Sequence, residues 1–473
     1  MKFKISITAL AVMVLISCSN QSELLEGENL LVLEGSNLID GTGVSLSPNA
    51  AIVIQEAKII RVGKAGDYKY PEDATVLDLH DRYVLPGFIN VHIHLTPQEL
   101  EEVLSTFLAF GITTIRDAAA VGGEEFLIGL REKISVGEVT GPRMLTAGRA
   151  INGHSSFDNY GFIFLCETED EVKQEVRRQV EQGIDFIKVY AHLPADLVGA
   201  VIEEAHSHGL KVLGHLGKTS WTQAAEMGID EVCHSAQGGP TWDLTPPDRR
   251  QEFQDNYMPP VDGVKNYDKA KLRRWRELID LNGSEMERLV SALIDRGVHV
   301  TPTMVAFEVI TWGNSSEARE RLEPDFAPES MRKNWRQNDI HPSMIAWSPG
   351  HFEESQSSWP VFMDIMRTLH ERGVPFAAGT DFGFPWITPG VSIHREMELL
   401  AAVGISPLDV LKIATSNGAE ILGILDETGT IEVGKNADMV ILTRNPIEDI
   451  RNTRSIETVI KNGQIYKPDD LLK

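Results

Sequence analysis

Between residues 86 and 424, short apolar runs alternate with stretches whose apolar residues return every three to four positions. A short run flanked by turn residues predicts a buried strand, and a period near 3.6 predicts an amphipathic helix. Eight runs fit the strand pattern: Ile89–His94, Thr113–Asp117, Arg143–Ala147, Phe186–Tyr190, Lys211–His215, Glu231–His234, Val298–Thr303 and Pro375–Asp381. Stretches 98–110, 168–182 and 195–209 fit the helix pattern. Gly111, Gly183, Gly209, Gly297 and Gly373 each stand just before a strand run, where glycine closes a helix. Eight strand–helix units over about 340 residues predict an α/β fold, a TIM (β/α)8 barrel. The intervals 235–297 and 304–374 are long for such a barrel and hold most of the tryptophans. They are expected to be insertions that form a lid over the catalytic end, with most of their aromatics packing them onto the barrel.

The two ends of the chain follow another pattern. Residues 29–85 and 425–473 carry short strand runs such as Ala51–Ile54, Ile59–Val62 and Asp438–Leu442. Asn462-Gly463 is a strong hairpin turn. Neither end has enough apolar residues for its own core, so together they predict one composite β-sandwich domain. The barrel, 86–424, is inserted between them. Upstream, Lys2 and Lys4 precede an apolar run from Ile5 to Ile16 that suits a signal peptide and is too short to span a bilayer. Leu15-Ile16-Ser17-Cys18 resembles the lipobox of bacterial lipoproteins. On that reading 1–17 is removed, Cys18 is lipidated, and 18–28 is a polar tether. The protein is then exported and held at a membrane only by its anchor. A plain cleaved secretory signal is the alternative.

Composition narrows the function. A chain of 473 residues that is 42% hydrophobic and 24% charged is a packed globule, which excludes disorder. Lys and Arg number 44 against 69 Asp and Glu, and the net charge of −25 argues against a nucleic-acid partner. Three cysteines exclude a disulfide scaffold. Cys166 and Cys233 lack zinc-ribbon spacing and read as buried packing residues.

The candidate chemistry lies at the strand ends. His92 and His94, two apart on a strand, face the same side. They fall near the C-terminal end of the first barrel strand, where barrel active sites are built. Lys188, His215, His234 and Asp381 end four other strands. Imidazoles with a carboxylate suit zinc or a similar first-row dication. Lys188 sits in an apolar strand, where a bare ammonium is costly. Either it pairs with a carboxylate such as Asp381, or carbon dioxide converts it to an anionic carbamate that bridges two metals.

These landmarks carry a family resemblance. Pro86-Gly87-Phe88-Ile89-Asn90-Val91-His92-Ile93-His94, Ile187-Lys188-Val189, Gly214-His215, Glu231-Val232-Cys233-His234 and Gly379-Thr380-Asp381 resemble the amidohydrolase superfamily. So do His394-Arg395-Glu396, Ala414-Thr415-Ser416-Asn417 and the run Gly429 to Asp438. The branch most similar holds imidazolonepropionase-like and prolidase-like enzymes. The resemblance implies two divalent metals, zinc first among them. His92, His94 and Asp381 would hold one, His215 and His234 the other, and Lys188 as the carbamate both. It implies a metal-bridged hydroxide attacking an amide carbonyl, with Asp381 moving the proton to the leaving nitrogen. His154, in Asn152-Gly153-His154-Ser155, is a candidate oxyanion or substrate contact, or a solvated loop residue. Tyr190 and Arg395 are further substrate candidates, Arg395 with a structural alternative.

The resulting expectation is an amidohydrolase cleaving a C–N bond in a small amide, a dipeptide or an N-acyl amino acid. Deaminases of the superfamily commonly carry a glutamate shortly after the strand-five histidine; His215-Leu216-Gly217-Lys218 has no acid there, so the resemblance disfavours deamination. The alternatives are a one-metal cyclic-amide, lactone or ester hydrolase and, from another class, a non-catalytic binding lipoprotein. A homo-oligomer is compatible with everything above.

Overall fold

A computed structural model describes residues 23–44, 46–98, 100–154, 161–234, 239–251, 275–337 and 347–473. The signal peptide, Cys18 and the first part of the tether lie outside the described residues. Of the tether, Glu23–Leu24 pairs with Tyr68–Lys69 as a short parallel bridge. Leu25 is buried beside Leu30, Val32 and Val53. This corrects the expectation for 23–28, because apolar burial ties that stretch to the domain surface.

The two chain ends share one sheet. Its strands run in the order Gln464–Tyr466, Ile456–Lys461, Met439–Leu442, Tyr83–Pro86, Leu30–Leu38, Ser47–Gln55 and Lys58–Lys64, with Thr75–Asp78 also on Leu30–Leu38. The seam is the antiparallel pairing of Tyr83–Pro86 with Met439–Leu442. Leu30–Leu38 pairs first with Thr75–Asp78 and then with Tyr83–Pro86, so it joins the strands of the N-terminal end to the seam. Strand alternation divides the apolar residues. Met439, Ile441 and Ile460 pack against Leu31, Leu33, Ile52 and Ile54 inside this unit. Val440, Leu442 and Val459 face the barrel core. Asn462 and Gly463, with φ of 48° and 75°, form the two-residue turn between Lys461 and Gln464.

Seven barrel strands are regular: Phe88–Ile93, Ile112–Asp117, Arg143–Thr146, Phe186–Val189, Lys211–Gly214, Glu231–Cys233 and His299–Thr301. All neighbouring pairs are parallel, and Ala147 bridges to Phe186. The eighth run corrects the sequence reading. It is no continuous strand but makes isolated bridges, Phe376 to Val300 and Phe382 to Ile93. Pro375 has no N–H to donate, and the Ala378 N–H points to Ile413 O at 3.4 Å. The barrel still closes, through Ala377 N–H to Val300 O at 3.0 Å and Asp381 N–H to His92 O at 2.8 Å.

The five inter-element glycines have φ between 66° and 91°, the left-handed region in which a helix is capped. Helices Leu100–Ala109, Glu169–Glu181 and Ala195–Ser207 stand where the periodicity predicts them. Thr168 and Glu171 form a capping box on the second. The long intervals are more regular than expected. Ser284–Asp295 and the 23-residue helix Pro349–Glu371 fill the places of barrel helices. Met304–Thr311, Ser316–Glu320 and Glu329–Gln337 are additional. Pro349 sits at the start of its helix, where proline is tolerated, and Pro360 interrupts its interior, so two prolines mask one helix in the sequence.

Candidate metal centre

The first strand carries His92, and His94 follows its end. Asn90 ties this strand to the eighth segment: its Nδ2 donates to Thr380 Oγ1 at 2.8 Å, and its Oδ1 accepts from Thr380 N–H at 3.2 Å. Gly379 allows that approach, since a Cβ there would lie 2.6 Å from Thr301 Cγ2 and 2.7 Å from His92 Cβ. Asp381 is thereby brought to the two histidines. Its Oδ1 lies 3.1 Å from His94 Nε2 and 3.5 Å from His92 Nε2, and its Oδ2 lies 3.8 Å from His234 Nδ1. The imidazoles continue as a chain, with ring centroids 4.6 Å apart for His92 and His234, and 4.4 Å for His234 and His215. Tyr190 follows at 4.6 Å from His215.

Among the described residues, several polar atoms here have no hydrogen-bond partner: both ring nitrogens of His92, His94 Nδ1, Lys188 Nζ and Asp381 Oδ1. Leaving a buried polar group unpaired costs roughly 1–3 kcal/mol. Five such atoms converging on one place form a donor set rather than a packing fault. Burial first, then the charge of Lys188, pushes His92 well below the ordinary imidazole range. Burial, then His215 and Lys188, does the same to His234. Both rings are held neutral, the form that ligates a metal. His92, His234 and Asp381 bring ligand atoms within 4.8 Å of one another. Lys188 is 1% exposed, and among the described residues no carboxylate is within ion-pair distance of its Nζ, so the Asp381 pairing is not formed.

A second trio, His92, Glu231 and Cys233, is equally compact, but its carboxylate is already taken. Glu231 accepts from Arg116 Nη1 and Nη2 at 2.6 and 2.8 Å and from Thr301 Oγ1 at 2.6 Å. This ion pair is the floor beneath the histidines. Cys233 Sγ lies 3.6 Å from Glu231 Oε1, Cys166 Sγ lies 3.4 Å from Asn152 O, and both thiols are free and buried.

The backbone is strained around the centre. His234, Thr303 and Asp381 have φ of 67°, 47° and 59° although none is glycine. Thr303 Oγ1 is 3.0 Å from His234 Nδ1, the ring nitrogen that lies 3.8 Å from Asp381 Oδ2. Glu396 holds Thr303 in turn, accepting from Met304 N–H at 2.9 Å and Val305 N–H at 2.7 Å. Asp117 accepts from Leu95 N–H at 2.6 Å and fixes the backbone after His94. Sequence reasoning assigned no role to Arg116, Asp117, Glu231, Thr303 or Glu396. The one available signal was charge inside apolar strands, as in Ile115-Arg116-Asp117.

Two predicted residues have carboxylate partners of their own. Arg395 has the partners of its structural alternative: Glu308 accepts from its Nε and Nη2 at 2.9 and 2.6 Å, and Glu398 from its Nη1 at 2.7 Å, which uses three of its five N–H donors. His154 is half exposed with its Nε2 3.1 Å from Glu167 Oε1, a partner outside the histidine cluster.

The Amidohydrolase family model matches residues 83–466. The chain is 23% identical over 408 residues to an imidazolonepropionase of Pseudomonas syringae pv. tomato, covering 84% of this chain and 88% of that one. It is 21% identical over 496 aligned positions to an ochratoxinase of Aspergillus niger, covering 91% and 85%. Its fold is similar to a Xaa-Pro dipeptidase solved with bound methionine, with a TM-score of 0.64 and 21% identity over 93% of this chain and 100% of the other.

Proposed function

Since this chain belongs to the amidohydrolase family, a family of metal-dependent C–N hydrolases, we propose that its substrate is a dipeptide or an N-acyl amino acid. We further propose that it works with two divalent ions, zinc first among them. His92, His94 and Asp381 would hold one and His215 and His234 the other. Lys188, as its carbamate, would be shared. The observation that supports this is the set of unpartnered buried donors around neutral His92 and His234. The ions would supply Lewis acidity to the scissile carbonyl and make a water acidic enough to attack at neutral pH.

The chain's own residues do the rest. Asp381 Oδ1, without a hydrogen-bond donor of its own, is the proton carrier from the attacking water to the leaving nitrogen. Its N–H to His92 O keeps that carboxylate at the mouth of the barrel. At Lys188 the buried ammonium would lose one proton, add as the free amine to carbon dioxide and lose a second, so that a costly buried cation becomes a carbamate anion. Tyr190, whose ring lies beside that of His215, would contact substrate.

The test is metal content by elemental analysis, with bicarbonate present, for the wild type and Lys188→Ala. About two ions per chain, falling to one or fewer in the variant, supports the reading. One ion in both proteins instead favours a single-metal cyclic-amide or lactone hydrolase. The observation behind that second reading is that His92, His234 and Asp381 alone form a compact ligand trio. No ion in either protein would favour a non-catalytic binder.

We propose also that the protein is exported and anchored by lipid on Cys18. The sequence pattern supports this, and among the described residues no helix is long and apolar enough to cross a membrane. Labelled palmitate incorporated by wild type and lost in Cys18→Ser tests it.

A further inference from the structure

A cavity of about 400 Å³ opens beside His94, between the loops that follow the first and eighth barrel segments and the helix Glu329–Gln337. We propose that it receives an uncharged apolar side group of the substrate, an aromatic ring or a branched aliphatic chain. The proposal rests on the hydrolase reading above.

Three observations carry it. The first is position: His94 lines the cavity, and its Nε2 is 3.1 Å from Asp381 Oδ1, so one wall is shared with the reacting centre. Gly383 permits this closeness, because a Cβ there would lie 2.9 Å from His94 Cβ. The second is chemistry. Leu95, Val103, Met331, Trp335, Phe382 and Phe384 form the walls, and Gln98 and Asn334 add neutral polar groups. Apart from His94, no described lining residue is ionisable. A carboxylate or ammonium entering here would lose water and meet no counter-charge. The third is rigidity. Met331 and Trp335 are one helical turn apart and face the cavity together, while Arg332 turns to Asp325 at 3.2 Å. Trp335 packs on Trp386 at 5.7 Å between centroids, and the Arg319 guanidinium covers Trp386 at 4.9 Å. A wall held in this way binds without first being ordered. The volume falls in the range of small-molecule sites and accepts a benzyl or isobutyl group with room for the adjoining amide.

The experiment uses the metal-loaded full chain with N-acetyl derivatives of glycine, leucine, phenylalanine, glutamate and lysine, which share one scissile amide. Hydrolysis is read as kcat/KM, and where a compound is not hydrolysed its binding is read by calorimetry. Phenylalanine and leucine are expected to exceed glycine, glutamate and lysine by at least about tenfold. Trp335→Ala should collapse the phenylalanine-to-glycine ratio toward one. Met331→Lys should reverse the phenylalanine-to-glutamate ratio, and circular dichroism verifies that both variants fold. Hydrolysis without side-chain preference, or with preference for a charged group, overturns the cavity assignment and leaves the hydrolase reading standing. Preferential binding of the apolar compounds that the variants abolish, with no hydrolysis, upholds the cavity and counts against the proposed bond. Binding of none of the five overturns the cavity proposal.

Discussion

The ion pair under the histidines offers the sharpest test of how this barrel is held together. Glu231→Gln removes the charge that faces Arg116, and the two side chains are 1% and 0% exposed. Two charge-assisted hydrogen bonds, at 2.6 and 2.8 Å, are affected. Breaking a buried pair from one side costs about 3–5 kcal/mol, because the remaining cation stays desolvated. The Phe186 ring, 5.1 Å from the Arg116 carbon, stays in contact with the cation in both proteins and so does not change the difference. A loss of about 3 kcal/mol is expected, roughly a hundredfold in the folding equilibrium. The assay is urea unfolding at a fixed metal concentration, followed by tryptophan fluorescence and circular dichroism, with the slope m compared between variants. The double variant Arg116→Met with Glu231→Leu removes both charges and should sit within about 1–2 kcal/mol of wild type. A single variant that loses less than about 1 kcal/mol, or a double variant less stable than the single, would refute the assignment of this pair as a desolvated couple.

Three further outcomes are expected. Thr303→Ala should weaken metal retention about 10–100-fold, measured against a competing chelator, and Thr303→Ser should restore it, because the lost contact is the hydroxyl on His234 Nδ1. Arg395→Met should lower stability by about 2–4 kcal/mol through the unpaired Glu308, while KM is unchanged; a raised KM would return Arg395 to the substrate site. Burial lifts the Glu396 carboxyl to about 8, so the folded state binds its proton more tightly than the unfolded chain. Its contribution to stability is therefore full below the ordinary carboxyl range and is lost as pH rises through about 8. Glu396→Gln should flatten the decline in unfolding free energy across that window, and a variant that declines in parallel with wild type would contradict this.

Periodicity carried far along the local geometry of this chain. Strand ends at His92, Lys188, His215, His234 and Asp381 could be aligned because each lies at or just past a short apolar run. The composite sheet was legible for a related reason: neither chain end could bury its apolar face alone. The helix Pro349–Glu371 was hidden, since prolines at its start and in its interior imitate loop composition. The eighth barrel segment was over-read, because apolar character does not disclose that Pro375 lacks a donor where the ladder needs one.

What the sequence determined by itself is which residues are apolar and at what spacing. That sufficed for the barrel, the sheet and the order of the ligand candidates, because these depend on local burial and repeat. Tertiary structure alone decided the partners. Arg116 and Glu231 are 115 residues apart and meet only because barrel closure sets their strands' inward faces against each other. Closure likewise brings Glu396 to the N-terminus of Met304–Thr311, and through it fixes Thr303 beside His234. The same long-range packing pairs Arg395 with Glu308, 87 residues away. A charged side chain in a sequence shows that a counter-charge is needed. Which one it finds depends on the register and shear of a closed sheet, and these are set by contacts across the whole barrel.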